Sequence, residues 1–235
     1  MKTILLNFTG PLQSFGTSSH FETRHTDSHP SKSAVIGLLA AAMGYRREED
    51  DKIQALNELD FALRVDQPGN LLRDYHTVMK HKLIREPSKP YVTNRYYLED
   101  AVFLIALSHS DGRRIEDIQK ALEHPYFQPY MGRRSLPLPW NFILGTEDDN
   151  PISCLRRYPW KAQKWYRRRE KVARLPIYAD AHLLPDGITE MRKDRVVSFS
   201  QKDRRFTYRG EAVLFVEVSD VPEGTQHDIF GSIGG

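Results

Sequence analysis

Gly10-Pro11-Leu12-Gln13-Ser14-Phe15-Gly16 follows directly on the apolar run Ile4-Leu5-Leu6-Asn7-Phe8. The spacing predicts a strand that ends in a turn carrying an amide, a hydroxyl and an aromatic ring. Downstream, Pro30-Ser31-Lys32-Ser33 opens an apolar helix, Ala34 to Met43, that Gly44 closes. Pro near the start, Ser at the N-cap and Gly past the end mark its boundaries. A polar loop with His20, Arg24, His25 and His29 lies between the turn and the helix. The free N–H groups and positive dipole end at that helix start suit a phosphate. Gln13, Ser14, Phe15, Gly16, Arg24, Lys32 and Ser33 are therefore expected to form one wall of an anion site.

Three further constellations carry cations. In Gly132-Arg133-Arg134-Ser135 a glycine before paired arginines lets backbone and guanidinium groups approach an anion together. The same residues also read as an ordinary basic loop. Trp160-Lys161-Ala162-Gln163-Lys164-Trp165-Tyr166-Arg167-Arg168-Arg169 interleaves rings with cations, as single-stranded nucleic acid requires for its bases and phosphates. A helix packing Trp160, Trp165 and Tyr166 inward is the other reading, and the two are compatible. Arg195 to Phe199 and Lys202 to Arg209 read as two strands joined by a basic turn. They offer Arg195, Arg204 and Arg205 as a further anion contact.

Tyr75-His76 and Lys80-His81-Lys82 fall in a predicted hairpin. They can supply a base, an acid and a cation for RNA cleavage by 2′-hydroxyl attack, or contact a phosphate backbone without chemistry. Binding is the expectation for an exposed hairpin. No Walker loop, dinucleotide-binding glycine pattern or His-Glu-x-x-His helix is present. The single Cys154 excludes an internal disulfide and a cysteine zinc site. His20, His25 and His29 lack a local carboxylate scaffold, so neither a metal nor a cofactor is expected.

These side chains must be carried by some 235 residues, 40% of them apolar, expected as a single domain. The net charge is only +3, but it is segregated. Arg156 to Arg174 holds nine Lys/Arg and one acid, whereas Glu211 to Gly235 holds five acids and no Lys/Arg. Such a pattern fits an anionic ligand on one face, or an unevenly charged solvated surface. With one cysteine and no apolar stretch near bilayer length, a reducing cytoplasm and no membrane contact are expected. A helix is expected over Glu48 to Asp60, strands at Phe61 to Val65 and Ala101 to Ser108, and a helix at Ile115 to Glu123. Leu72 to Leu98 reads as a long hairpin with a loop from Lys82 to Pro90. The order strand, helix, strand, hairpin, strand, helix predicts an α+β, ferredoxin-like sheet in residues 1–130 with an inserted hairpin. Residues 131–235 read as a less regular, basic, β-rich part with strands at 177–180, 196–199, 206–208 and 212–218.

The motifs resemble those of the CasD family of CRISPR-associated proteins. Gly10 to Gly16 is similar to its Gly-Pro-x-Gln-Ser/Ala-Trp-Gly turn, with Phe15 where Trp is commoner. Agreement extends through Arg24, Pro30-Ser31-Lys32-Ser33, Gly37 to Ala41, Asp74-Tyr75-His76-Thr77, Arg95 to Ala101 and Tyr130 to Ser135. It ends in Asp194-Arg195, Ser198-Phe199 and Arg204-Arg205-Phe206. Leu136 stands where a small residue or Cys is expected, and the linker around 146–176 is the least recognisable part. The resemblance implies an RRM-related, ferredoxin-like domain of the repeat-associated RNA-binding class, with a hairpin thumb at 72–98. It implies a non-catalytic subunit of the type I-E surveillance complex Cascade that binds the 5′ handle of the CRISPR RNA in antiviral defence. It would cap the backbone filament and join it to the large PAM-reading subunit, meeting target DNA only through the complex. The alternative is a metal-independent endoribonuclease acting on repeat RNA, as in a related subtype, through Tyr75, His76, Lys80 and His81.

Overall fold

A computed structural model describes residues 1–17, 22–79 and 90–219. In chain order the elements begin with β1 (Lys2–Thr9), β2 (Leu12–Gln13), β3 (Thr23–Arg24), α1 (Lys32–Ala42) and α2 (Asp50–Ala55). A 3-10 turn, Leu56–Glu58, leads into β4 (Asp60–Gln67), β5 (Asn70–Met79), β6 (Pro90–Glu99), β7 (Val102–His109) and α3 (Gly112–Glu123). The remainder is β8 (Ile143–Glu147), α4 (Pro151–Arg157), α5 (Lys164–Glu170), β9 (Val172–Asp180), β10 (Ile188–Ser198) and β11 (Arg205–Ser219), with a 3-10 turn at Ala181–Leu183.

One seven-stranded sheet runs β10-β11-β9-β4-β7-β1-β8. Its β4-β7-β1-β8 half is antiparallel throughout, with α1 joining β1 to β4 and α3 joining β7 to β8. This is the ferredoxin-like β-α-β-β-α-β unit, and β5 and β6 are its inserted hairpin. The fourth core strand, β8, lies past residue 130, so the core crosses the expected division. Its residues are all half-buried at the sheet edge, and no apolar run announces it. The expected helix over Glu48 to Asp60 is shorter, because Asp60 already belongs to β4. The two short strands expected at 206–208 and 212–218 are one strand.

Continuous apolar runs in β1 and β7 are covered on both faces, as central strands require. Ile4, Leu6, Phe61, Leu63, Phe103 and Ile105 pack beneath α1 and α3. Leu5, Leu104, Ala106 and Ile177 pack on the opposite face against Cys154 and Leu155 of α4. Arg64, fully buried on β4, forks onto Asp66 and donates to the carbonyls of Leu155, Tyr158 and Pro159. It thereby satisfies the open end of α4. Helix α1 is buried on nearly every side, which explains its unbroken apolar sequence. Ser31 caps it through Ala34 N, and Gly44 leaves it at φ +78°.

Candidate nucleic-acid interface

The start of α1 does attract an anion, and the anion belongs to the protein. Lys32 N donates to Asp194 Oδ2 at 2.8 Å, and Arg209 forks onto the same fully buried carboxylate. The Lys32 side chain is 5% exposed, with Nζ on Asp180 Oδ2 (2.8 Å) and on the carbonyls of Asn57 and Leu59. Burial pulls its pKa down against the attraction of Asp180. Ser33 is buried and its hydroxyl meets that of Ser31. Of these two residues, expected to hold phosphate, Lys32 is spent in an internal ion-pair network and Ser33 is buried at the helix cap.

The turn after β1 is likewise directed inward. Gln13 is fully buried and donates from Nε2 to Ala101 O (2.8 Å) and Phe8 O (3.4 Å). The Ser14 hydroxyl donates to Tyr96 O at 3.1 Å, tying the turn to β6. Phe15 is 2% exposed and packs between Phe8 and Phe103 rather than offering a stacking face. Of the expected first wall, Gly16 and Arg24 alone face solvent.

What this inward turn does is seat the second motif. Ser14 N donates to Met131 O, and Met131 N to Leu136 O, closing the loop from 131 to 136 over the turn. Gly132 sits at φ +84°, and a Cβ there would lie 1.5 Å from Ser14 O. Glycine is needed for both the conformation and the approach. Arg133 reaches across to donate from Nη2 to Tyr96 O (2.9 Å) and Arg24 O (3.0 Å), with its guanidinium 4.1 Å from the Tyr97 ring centre. It pins β3 onto β6, where the two pair in parallel at Thr23–Asn94 and Arg24–Arg95. Arg134 and Ser135 project outward, and Arg134 makes no hydrogen bond or ion pair among the described residues.

One exposed surface at the base of the hairpin results. It brings together Gly16, Arg24, Arg134 and Ser135, which lie far apart in sequence. His25, stacked on Tyr96 at 5.3 Å and 11°, extends it with a ring pair that the motif reading did not select. The signal lay in the alternation of Arg95-Tyr96-Tyr97, which puts neighbouring rings on opposite sides of a strand. Further up the hairpin, Tyr75 and His76 are exposed but point to opposite faces. Lys80, His81, residues 82–89 and His20 lie outside the described residues.

The C-terminal arginines divide. The Arg204 guanidinium stacks against Phe206 (5.1 Å) and Phe199 (5.9 Å). Burial lowers its pKa, nearby Arg47 adds to this, and the proximity of Tyr130 opposes it. Arg205 pairs with Asp203 at 2.8 Å on the surface. Arg195 is elsewhere, lining a shallow pocket of about 260 Å³ with Lys32, Asp60, His182 and Tyr208. Asp60, Asp180 and His182 place ligand atoms within 4.8 Å of one another there. The Asp180 oxygens are already taken by Lys32, Phe61 N and Arg209, so the cluster is an ion-pair network. The expected second wall is thus not continuous.

A family model described as CRISPR-associated protein (Cas_Cas5) matches residues 3–210. The chain belongs to the Cas5 family of CRISPR-associated proteins. It is 35% identical over 170 residues to the CRISPR system Cascade subunit CasD of Escherichia coli (strain K12), covering 66% of this chain and 76% of that one. A chain of a solved CRISPR RNA-guided surveillance complex superposes with a TM-score of 0.75 at 30% identity, over 92% of this chain and 91% of that chain. A crystal structure of a Cas protein follows at 0.65 and 29%, over 91% and 94%. In this Cas5 chain the turn after β1 and the 131–136 loop meet at the hairpin base, while Lys32, Ser33 and Arg195 lie elsewhere. No helix among the described residues is long and apolar enough to cross a membrane.

Proposed function

We propose that this Cas5 protein is a non-catalytic, cytoplasmic subunit of a Cascade-type surveillance complex that binds the 5′ handle of the CRISPR RNA. The observation that carries the reading is the surface at the hairpin base. Exposed Arg24 and Arg134 flank a backbone-rich turn beside the stacked His25 and Tyr96 rings. Cations for phosphates next to faces for bases are what an unpaired RNA end needs. The role of capping the filament and joining it to a large subunit draws support from the hairpin. Leu71, Tyr75 and Met79, at 65%, 59% and 70% exposure, share one strand face. With Arg73 and Thr77 between them, these exposed apolar side chains make a mixed face that suits a protein partner.

Binding of a labelled repeat-derived RNA, followed by fluorescence anisotropy, tests the reading. Arg24→Ala should weaken binding by about 1–3 kcal/mol. A folded Arg24→Ala protein with unchanged affinity removes the hairpin base as the RNA site. The alternative endoribonuclease is tested in the same tube: RNA incubated with the protein and EDTA should stay intact, and a discrete cut would replace the binding role with a catalytic one.

A further inference from the structure

The basic and aromatic segment 160–174 takes no part in the surface at the hairpin base. Trp160 is 7% exposed, and its Nε1 donates to Asp66 O at 2.9 Å. Lys161 N donates to Asp66 Oδ2 and Gln163 N to Gln67 Oε1, so the segment is fastened to the end of β4. Tyr166 packs edge-on against Trp160, and both join Ala162, Leu175, Val216 and Val218 in a small apolar cluster.

Trp165 does not follow. It is 47% exposed, with its edge toward Tyr166 and the Arg169 guanidinium 5.6 Å from its ring centre. A segment built only for packing would bury its second tryptophan with its first. In the same short segment Lys161, Lys164, Arg168, Arg169 and Lys171 are all exposed. The one acid of the segment, Glu170, pairs with Arg169.

We propose that this face, anchored through Trp160 and displaying Trp165, is a second single-stranded nucleic-acid contact, separate from the hairpin base. A half-exposed indole among cations that far outnumber the one acid favours a stacked base and tracked phosphates. An acidic protein surface would use the cations but have little use for the displayed ring. The contact is sequence-tolerant, because every base has a face to stack.

The full chain is titrated with fluorescent single-stranded oligonucleotides of mixed sequence that lack any repeat-derived segment, as RNA and as DNA. The titration is made in an Arg24→Ala/Arg134→Ala background, so the proposed handle site does not report. Trp165→Ala should reduce affinity about tenfold, within the range of one lost base stack, at an unchanged melting temperature. Lys164→Glu/Arg168→Glu should abolish binding at moderate salt. Equal affinity of RNA and DNA makes the 2′-hydroxyl irrelevant here, and a preference for one identifies the strand. Unchanged affinity in both variants overturns the proposal, as does equal binding of a poly-glutamate competitor that ignores Trp165→Ala. Because the handle assay uses Arg24 and this assay does not, either site can fail alone.

Discussion

Arg133 and Arg134 are chemically identical neighbours that the fold sends in opposite directions, the first inward onto backbone carbonyls and the second out to solvent. Truncating Arg133 removes two charge-assisted hydrogen bonds, to Tyr96 O and Arg24 O, and its stack on Tyr97. For a half-buried group these amount to about 2–4 kcal/mol together. In a chain of 235 residues that lowers the melting temperature by about 5–15 °C. Arg133→Lys should not restore it, since an ammonium keeps the charge but loses the planar fork and the stack. Arg134→Ala removes no internal contact and should leave the melting temperature within about 2 °C. Its effect belongs in RNA binding: a plot of log affinity against log salt should flatten by about 0.7, one phosphate on a single strand. The assay is a thermal melt followed by anisotropy titrations at several salt concentrations on folded protein. The reasoning is refuted if Arg133→Ala melts like the wild type while Arg134→Ala is destabilised. A wild-type salt slope for folded Arg134→Ala would remove Arg134 from the RNA surface.

Two other outcomes follow from the same geometry. Gly132→Ala must place a Cβ against Ser14 O at a left-handed backbone, so it should cost at least about 2 kcal/mol and lower RNA affinity by unseating the 131–136 loop; a wild-type melt and affinity would refute that role. Burial pushes the Glu211 carboxyl up, but contact with His29 and the charges of Arg192 and Arg209 prevail and hold it at about 2, below the ordinary 4.5. Its stabilisation is therefore present above about pH 4.5 and lost as pH falls toward 2, worth about 3 kcal/mol at neutral pH, and Glu211→Gln should flatten the acid limb of the stability curve.

The ferredoxin-like core was legible because its strands and helices obey local rules. Ser31, Gly44 and the apolar runs of β1 and β7 mark boundaries without reference to anything distant. Edge strand β8 escaped, since a half-buried strand carrying Gly145 and Thr146 has no run to detect. Charge count alone makes the stretch from Glu211 an acidic tail. Its first residue instead sits in β11, buried against Arg192 and Arg209. Charge counts along a chain cannot see that a strand from one segment will lie beside a cation from another.

The same limit governs the candidate site, and it sharpens how the motifs should be interpreted. Gln13, Ser14, Phe15 and Gly132 each solve one problem of a single junction. Gln13 satisfies the carbonyls of Phe8 and Ala101, Ser14 ties the turn to β6, Phe15 fills the core, and Gly132 lets the second loop close over the first. Gln13, Ser14 and Phe15 are buried in the junction and present no side chain to a ligand outside it. Those free to bind are the neighbours that the junction pushes outward: Gly16 one step past Phe15, Arg24 beneath the Arg133 clamp, and Arg134 one step past it. A motif shared by a family therefore identifies the fold of the site more securely than its contacts. In this chain the contacts are best sought one residue beyond each motif position that the core has claimed.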